Sequence, residues 1–556
     1  MNNALNGPTK HGSASRLAWF LAALALATGC SSKFYKKSSD DSSYRIISQK
    51  QESVAGQSTP FTIEPPESNL RSHLDAAGEG LPRGGPDAEM PDHTAPKLLG
   101  LADAMRLARY SSRDYQFQKE ELYLSSLDLV LARHEWTPLF TSLVQGDHVW
   151  DDDERRVEGS ASLSMTKKLA TGADLALSYT LGTLWVAGRG MKPELTSSLD
   201  ASIVQPLLKG AGRAVAEENL RQAERDVIYQ VRDFIRFRRS FTIDIVSAYL
   251  NVLQSADQTE NEWRNYQNLI VNRQRSEFLE EAGRLPRFEV DQARQAELRA
   301  HNSWVLSKET YEARLDSFRI QMGLPPDAPV KLDRRVLEWL IANPPQPPEE
   351  LQLADAVQTA IDNRLDLMTS RDQLGDSERK LVVARNGLLP RLDLVAKADV
   401  SGTPPRNWSR TKWHDGTYSV GFDLDPGLDR VQEAATYRTA IINLERSKRR
   451  LQQKEDNVRL EVREAVRRLE RAKQSYTIQR MSVDLARRRV ESVTMLLDAG
   501  RASMRDLLES QEDFVSAQNA LTAALIRQTV AWLEYRQATE SLELDEEGRI
   551  PDVTPR

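Results

Sequence analysis

The sequence predicts a mainly α-helical chain with a smaller β component, built from two tandem structural repeats and completed by further copies of itself. Three observations lead to this fold class. Part of the chain recurs, two very long segments are almost free of proline and glycine, and short alternating segments precede each of them. No globular core is as long as such helices, so an elongated assembly is expected.

The recurrence is an internal duplication. Residues 101–138 align without a gap on residues 353–390, with 13 identities in 38 positions. A unit of about 200 residues is too long for a solenoid repeat, so each copy is half of the molecule. We therefore expect a first repeat over residues 98–343, a proline-rich linker over 344–350 and a second repeat over 351–541.

The first 29 residues have the features of a signal peptide. Lys10 and Arg16 precede an apolar run over residues 17–27, which is too short for a membrane-spanning helix. Cys30 follows small residues and is the only cysteine of the chain, which excludes an internal disulfide. We expect Cys30 to be acylated, as in palmitate-bearing lipoproteins. The alternative is ordinary cleavage nearby with an incidental cysteine. Ser31 is typical of lipoproteins sorted to the outer membrane.

The flanking segments show little periodicity. Residues 30–97 are rich in Ser, Asp, Gly and Pro and are predicted to form a lipid-anchored tether or an irregular wrap. Residues 542–556 are expected to be a C-terminal tail.

Composition argues against several classes of function. Residues 30–556 carry 73 basic and 81 acidic side chains, a net charge of −8, so no single-sign field favours nucleic acid. The seven histidines are scattered, and no cluster of His, Cys or carboxylates has metal-ligand spacing. We therefore expect no catalytic residue, no cofactor and no metal, and hence no enzyme.

The alternating segments predict amphipathic strands. In the second half, apolar residues from Leu392 to Val400 alternate with polar ones, and so do those from Tyr418 to Leu424. In the first half the same pattern occurs around Leu163, Tyr179 and Leu199. One apolar and one polar face over about nine residues is the pattern of a membrane-spanning strand. The alternative is a soluble sandwich with one solvated face.

Two long helices follow the strands. Residues 211–282 contain no proline or glycine after Gly212, and residues 429–499 contain none, which predicts helices of roughly 105–110 Å. Shorter helices are expected before the strands (114–134 and 366–387) and after the long helices (286–322 and 502–540). Their lengths allow two short helices to lie end to end beside each long one, as in a coiled coil.

Closure of the strands requires other copies of the chain. A few strands per half cannot enclose an interior, and an open edge in lipid leaves backbone groups unpaired at several kcal/mol each. The sequence therefore predicts a ring oligomer, in which the helices continue the strands as a tube.

The residues resemble the TolC-like outer-membrane efflux protein family, lipoprotein type. The resemblance covers about residues 98–541 and depends on the Leu-Ala-Asp-Ala helix starts at 101 and 353, the segment from Gln205 to Gly210, and two Ala-Gly-Arg turns. It implies a trimer, with a 12-stranded membrane β-barrel continued by a long periplasmic α-helical coiled-coil barrel. The additional strand-like residues 157–186 leave two alternatives, a surface hairpin or additional wall.

The two Ala-Gly-Arg turns are the first candidate site. Gly283 with Arg284, and Gly500 with Arg501, are expected to form the tips of two antiparallel helical hairpins, because glycine permits the left-handed turn. The resemblance implies that a periplasmic adaptor protein docks at these tips. The alternative is that the glycines are only helix C-caps.

Acidic residues just beyond the tips are the second candidate site. Glu289 and Asp506 lie six residues after their tip glycines, and Glu509 lies one turn after Asp506 on the same helix face. The resemblance implies that these carboxylates form the periplasmic aperture and favour cations, as rings of charge do in channels. The alternative is ordinary surface carboxylates.

These features predict a passive exit duct. The resemblance implies a homotrimer in outer-membrane lipid that works through a periplasmic adaptor with an inner-membrane RND or ABC pump, in tripartite efflux or type I secretion. No Walker motif is present, so the energy is expected to come from that pump. The alternatives are a structural coiled-coil lipoprotein of the periplasm without a pore and, less favoured, a lipoprotein enzyme.

Overall fold

A computed structural model describes residues 32–64, 97–150, 155–187, 194–348, 351–402, 413–545 and 548–551. The predicted signal peptide and Cys30 lie outside the described residues. In the part of the chain that is described, no helix combines the length and apolar character needed to cross a bilayer.

The first half is mainly helical, with strands inserted after its third helix. Its helices are α1 (Ser32–Ala55), α2 (Leu101–Ser111), α3 (Arg113–His134), α4 (Arg213–Ala216), α5 (Glu218–Glu281), α6 (Arg287–Gln321) and α7 (Arg335–Ala342). Its strands are β1 (Lys97–Leu99), β2 (Leu139–Trp150), β3 (Arg155–Lys168), β4 (Asp174–Ala187), β5 (Glu194–Pro206) and β6 (Val330–Leu332).

The second half has a similar order of elements with fewer strands. They are α8 (Leu353–Asn363), α9 (Leu365–Gly387), β7 (Arg391–Gly402), β8 (Thr417–Asp425), α10 (Val431–Asp498) and α11 (Met504–Ala538). The prediction of a mainly α chain with β strands is confirmed. That the halves are tandem repeats, that the assembly is a trimer and that the barrel closes remain predictions.

The six longer strands form one antiparallel sheet in the order β2-β3-β4-β5-β7-β8. The register places Leu163 opposite Tyr179, and Tyr179 opposite Leu199, so the apolar side chains of neighbouring strands share one face. The other face is polar in the same register, with Ser162, Thr180 and Ser198 in line. The predicted amphipathic strands are thus confirmed.

The strand-like residues 157–186 belong to this sheet. They form most of β3 and β4, which lie between β2 and β5 and pair with both. β5 then pairs with β7 of the second half, which makes one continuous sheet from the strands of both halves. A separate parallel pair, β1 with β6, joins Leu99 to Leu332 beside α5.

The two long helices have 64 and 68 residues and are about 96 and 102 Å long. As predicted, α3 and α6 both pack along α5, while α9 and α11 pack along α10. The helix predicted from residue 211 begins only at Glu218. Gly210 and Gly212 adopt φ of +85° and +92° where the chain leaves the sheet, and α4 is a single turn separated from α5 at Glu217.

The main core surrounds the middle of α5. Leu250 and Leu253 of α5 are buried against α2, α6 and the β1–β6 pair. A helix that is apolar on all sides is expected only where neighbours cover it completely. Much of the apolar burial in the described chain therefore occurs at the level where both halves and the termini meet.

The N-terminal segment is more regular than predicted. Residues 32–55 of the expected tether form α1, which packs against α3 and α5 and buries Ile46 and Ile47. The Tyr123 hydroxyl donates a hydrogen bond of 2.6 Å to Asp40 Oδ1. Periodicity did not reveal this helix because few of its residues are apolar. In the C-terminal tail, Leu542 and Ile550 are also buried.

Candidate functional site: the helical tips and the acidic residues beyond them

Both tips close with the same backbone geometry. Gly283 and Gly500 have φ of +67° and +69°. The Arg284 N–H donates to the Leu279 carbonyl and the Gly283 N–H to Glu280, each at 2.8 Å. The equivalent bonds at the second tip run from Arg501 and Gly500 back to the last turn of α10. This is the Schellman motif, which satisfies the last helix carbonyls and reverses the chain.

The tips are open to solvent. A Cβ atom added to Gly283 or Gly500 would meet no atom within 4 Å, so glycine is required there by the positive φ and not by crowding. Gly283, Arg284, Gly500 and Arg501 are all exposed. An ion pair between Arg275 and Asp498 joins the last turns of the two long helices just behind the tips. The sequence-predicted tip residues are therefore presented at one end of the helices.

Asp506 has a structural role that its charge alone did not reveal. Ser503 is the N-cap of α11, and the Asp506 carboxylate accepts from the Ser503 N–H at 2.9 Å and from its hydroxyl at 2.7 Å. This capping box satisfies otherwise unpaired donors at the helix start. The Ser503 hydroxyl and N–H hold the pKa of Asp506 below its usual range. The carboxylate is thus fixed in place and ionised at neutral pH.

Glu509 and Glu289 differ in their surroundings. Glu509 Oε1 lies 3.9 Å from Arg489 of α10, which also pairs with Asp513 at 2.6 Å. Glu289 is half-buried in the first turn of α6. The sequence did not indicate Arg489 as a partner, because that contact crosses from α10 to α11.

The first turns of α6 and α11 lie side by side. Ala293 of α6 packs with Met504 and Leu507 of α11 in a small buried cluster. Glu289 precedes Ala293 by one helical turn, and Asp506 lies between the two α11 residues in sequence. The structure therefore brings the acidic residues of both hairpins to the same end of the molecule.

A polar groove of about 1120 Å³ continues from this end between α5, α6 and α11. Its lining includes Glu262, Arg299, Arg505, Glu509 and Glu512. Burial raises the pKa of Glu262, although a hydrogen bond from Asn519 acts in the opposite direction. Among the described residues, no group of three or more His, Cys, Asp or Glu is placed to hold a metal ion.

Polar side chains join α5 to α11 along the groove. Asn261 bonds to Asn519, and Asn272 to Gln511, each at 2.9 Å. Thr522 donates to Asp257 at 2.7 Å. Sequence reasoning missed these pairs, because an isolated Asn or Thr on a long helix carries no signal until its partner helix is known.

The two halves are also joined by buried charges. Asp366 of α9 accepts from Arg364 at 2.8 Å and from Lys454 at 2.7 Å, and it contacts Arg236 of α5. Burial opposes ionisation of Asp366, but the surrounding cations outweigh it and hold its pKa well below its usual range.

Glu540 is a second acidic residue among the charges that connect the two halves. Its carboxylate contacts Arg236 and Arg239 of α5, and burial raises its pKa. Glu540 also has φ of +60°, the only non-glycine residue with a positive φ in the described chain. Glu540 directly follows the C-cap of α11, where its own N–H donates to the Gln537 carbonyl and the Ser541 N–H donates to the Arg536 carbonyl, so hydrogen bonds at the helix end hold this conformation.

Comparison with known proteins matches part of the chain to a protein family. Residues 356–540 match the family model described as outer membrane efflux protein. No curated protein matches the sequence.

Solved structures of bacterial channels share the fold. The outer-membrane channel OprN is 14% identical, with a TM-score of 0.56 over 87% of this chain and 94% of that chain. The CmeC outer membrane channel of Campylobacter jejuni is 15% identical, with a TM-score of 0.56 over 79% and 85%. The open state of the Neisseria gonorrhoeae MtrE outer membrane channel is 12% identical, with a TM-score of 0.55 over 79% and 88%. At these identities the likeness concerns the fold alone. Residues 356–540 thus match the outer membrane efflux protein family, and most of the chain shares the fold of these outer-membrane channels.

Proposed function

We propose that this protein is the trimeric exit duct of a tripartite efflux or type I secretion system in the outer membrane. The observation that carries the proposal is a six-stranded sheet with one apolar face, joined to helices about 100 Å long. A pump in the inner membrane would supply the energy, and a periplasmic adaptor would connect it to the helical tips.

The sheet supports assembly with other copies. No described strand pairs with the outer edge of β2 or of β8. In lipid, each unpaired backbone group at such an edge costs several kcal/mol. Pairing of β8 with β2 of the next copy removes both edges, and the even number of strands keeps every pair antiparallel.

The helices support the same arrangement. Exposed apolar residues recur at a spacing of seven on three helices: Val271 and Phe278 on α5, Leu298 and Val305 on α6, Ile478 and Leu485 on α10. A seven-residue spacing is the pattern of a coiled-coil seam. Because these side chains are exposed in a single copy, neighbouring copies are the partners that would bury them.

The alternative function is a structural coiled-coil lipoprotein without a pore. It explains the long helices and an acylated Cys30, but it gives no reason for an apolar sheet face. Purified in detergent, the protein is expected to be a trimer that conducts ions in planar bilayers. A monomer, or a trimer that inserts no conductance, would support the alternative.

The tips provide a second experiment. Gly500→Pro and Gly283→Trp are expected to reduce export while leaving the outer-membrane trimer at normal abundance, since the tips lie roughly 100 Å from the sheet. Glu445→Gln, an exposed change far from the tips on α10, serves as the control. Full export by the tip variants would remove the tips from the docking surface.

The anchor is tested separately. Replacing Cys30 with Ser is expected to abolish incorporation of labelled palmitate, while the trimer persists because the sheet itself inserts. Wild-type protein without label would show that Cys30 is not an acylation site and would leave the duct unaffected.

A further inference from the structure

The hairpin formed by β3 and β4 is a feature that the proposed function does not use. The twelve-stranded barrel implied by the family resemblance takes four strands from each copy, whereas this chain has six in one sheet. The two additional strands form either wall or an accessory on its surface.

We propose that β3 and β4 are wall strands, so that three copies close an eighteen-stranded barrel whose membrane section is too wide to select cargo by size. This inference rests on the proposed trimeric duct. It assigns size selection to the helical end of the duct and not to the outer membrane.

The pairing supports a place in the wall. β3 pairs along the whole of β2, from Leu139 with Thr166 to Trp150 with Arg155. β4 pairs with β5 from Asp174 with Val204 onward. The hairpin therefore separates β2 from β5, and a four-stranded sheet would require it to leave both partners.

The faces of the hairpin support the same conclusion. Leu163 and Met165 of β3 lie opposite Tyr179 and Leu177 of β4, on the face that continues through Leu199. The opposite face carries small hydroxyl residues, where Ser164 and Ser178 lie 3.0 Å apart. A lipid-facing and a water-facing side are required of a wall strand, and a hairpin lying in water would not need the apolar side.

The turn of the hairpin is built into the rim of the sheet. The Gly212 N–H donates to the Thr171 carbonyl at 3.0 Å, and the Thr171 hydroxyl donates to Gln205 Oε1 at 2.7 Å. Gly172 has φ of +92°, and a Cβ there would lie 2.6 Å from the Gly210 carbonyl oxygen. The turn thus fits against the junction where β5 leaves the sheet toward the long helix.

The number of strands determines the diameter of the barrel. With strands about 4.8 Å apart and tilted by about 40°, eighteen strands give a backbone diameter of about 36 Å, and twelve give about 24 Å. Barrels of 16–18 strands leave an aqueous channel. The middle of the hairpin would also line part of this channel with hydroxyl groups, because its water-facing side there carries Ser160, Ser162, Ser164, Thr166, Ser178 and Thr180.

Spin labelling at matched depth tests the inference. In full-length Cys30→Ser protein, single cysteines replace Ser162 or Leu163 in β3, and Ser198 or Leu199 in β5 as controls. The register places the two serines at one level and the two leucines at the next. The labels are then exposed, in lipid vesicles, to oxygen, which partitions into lipid, and to a water-soluble nickel chelate.

The expected result is the same alternation in both strands, with oxygen favoured at positions 163 and 199 and nickel at 162 and 198. Nickel access at both 162 and 163, with alternation retained in β5, would overturn the eighteen-stranded wall and leave the duct intact. Loss of alternation in β5 as well would overturn both proposals. Electron microscopy of the trimer provides a second measurement, since a barrel of about 24 Å instead of about 36 Å would contradict the inference.

Discussion

The two long helices, α5 and α10, are alike in length but not in burial. α5 buries twenty of its 64 residues, whereas α10 buries six of its 68. α5 is covered by helices from both halves, including α1, α3, α6, α9 and α11, whereas the main neighbours of α10 are α8, α9 and α11. One helix is thus the core of the single chain, and the other leaves most of its surface exposed, where the proposed trimer would cover it.

Positions at the same distance from the two tips differ in character. Counted back from each tip glycine, Val246 and Leu250 of α5 correspond to Arg463 and Arg467 of α10. The two apolar residues are buried, and the two arginines are exposed. The difference teaches that two helices of similar length and place in the chain can differ widely in how much apolar surface they bury within that chain.

Breaking the assembly through α10 should have the largest effect. Met481→Glu combined with Leu485→Glu places charges on the exposed apolar stripe of α10, where burial against a neighbouring copy would leave them unpaired. We expect the trimer to be lost, measured by light scattering in detergent, with helix content by circular dichroism unchanged.

Gln479→Glu is the matched control, since it adds charge to the same turn of α10 away from the stripe. We expect it to remain trimeric. A trimeric double variant would mean that the stripe faces solvent or the tube interior and is not an interface.

Truncation in α5 should destabilise the single chain. Leu250→Ala removes a fully buried side chain and is expected to cost about 2–5 kcal/mol in free energy of unfolding. The equivalent change in α10, Arg467→Ala, removes an exposed side chain and is expected to change it by about 0.5 kcal/mol or less. Denaturant midpoints followed by circular dichroism compare the two, and equal midpoints would contradict the assigned burial.

The buried ion pairs that connect the two halves predict that the free energy of unfolding depends on pH. Because the folded-state pKa of Asp366 is depressed, its contribution is present above the unfolded value of about 3.9 and is lost as pH falls toward the folded value. Asp366→Asn should therefore lower stability by about 2 kcal/mol at pH 7 and by less at each step below about pH 4.

The contribution of Glu540 to stability is expected to change with pH in the opposite direction. Its raised pKa means that the folded state binds the proton more tightly, so its contribution is fully present below the unfolded pKa and falls as pH rises through the folded one. For Asp366→Asn, the difference in free energy of unfolding from the wild type should shrink as pH falls. For Glu540→Gln it should not. Denaturant midpoints between pH 3 and 7 measure the stability of both variants against the wild type. A difference from the wild type that stays constant with pH for Asp366→Asn would exclude the assigned ion pairs.

The smallest effect is expected at the carboxylates just beyond the tips, which are predicted to line the periplasmic aperture. Asp506→Asn with Glu509→Gln removes charge from the second hairpin while retaining polar groups that can accept the capping bonds. We expect reduced cation selectivity, measured as a smaller reversal potential in a salt gradient across a planar bilayer. Glu289→Gln makes the corresponding change in the first hairpin and should have a smaller effect.

Asp456→Asn, an exposed change in the body of α10, is the control. If the double variant at the second tip retains wild-type selectivity, these carboxylates belong to a solvated helix face, and the narrowest ring lies elsewhere. The stability of the double variant should change little, because an amide oxygen at position 506 can still accept the capping bonds and Glu509 is an exposed carboxylate.

Much of the architecture could be predicted from local patterns. The long helices are bounded by glycine and proline, so their existence followed from the positions of these residues, although the single turn of α4 shifted the start of α5. Alternation assigned each strand its two faces. It did not assign partners, and therefore the position of β3 and β4 between β2 and β5 could not be predicted.

The candidate site was predicted only in outline. The tip glycines carry their own signal, because a positive φ is required at a helix C-terminus. Other contacts depend on which helices become neighbours. They include those made by Arg489 and Asn519 and the ion pairs around Asp366. Such contacts arise from tertiary packing, which leaves no periodic trace in the sequence.

The pairing of β5 with β7 has a consequence for biogenesis. These strands are neighbours in space, yet the whole of the α5–α6 hairpin is made between them. During N-to-C synthesis and export, β2 to β5 can form as local hairpins while the edge of β5 stays open until residues 391–402 arrive. The chain therefore completes its sheet late, and a polypeptide that stops after α6 would reach the membrane with an exposed strand ready to pair with the wrong partner.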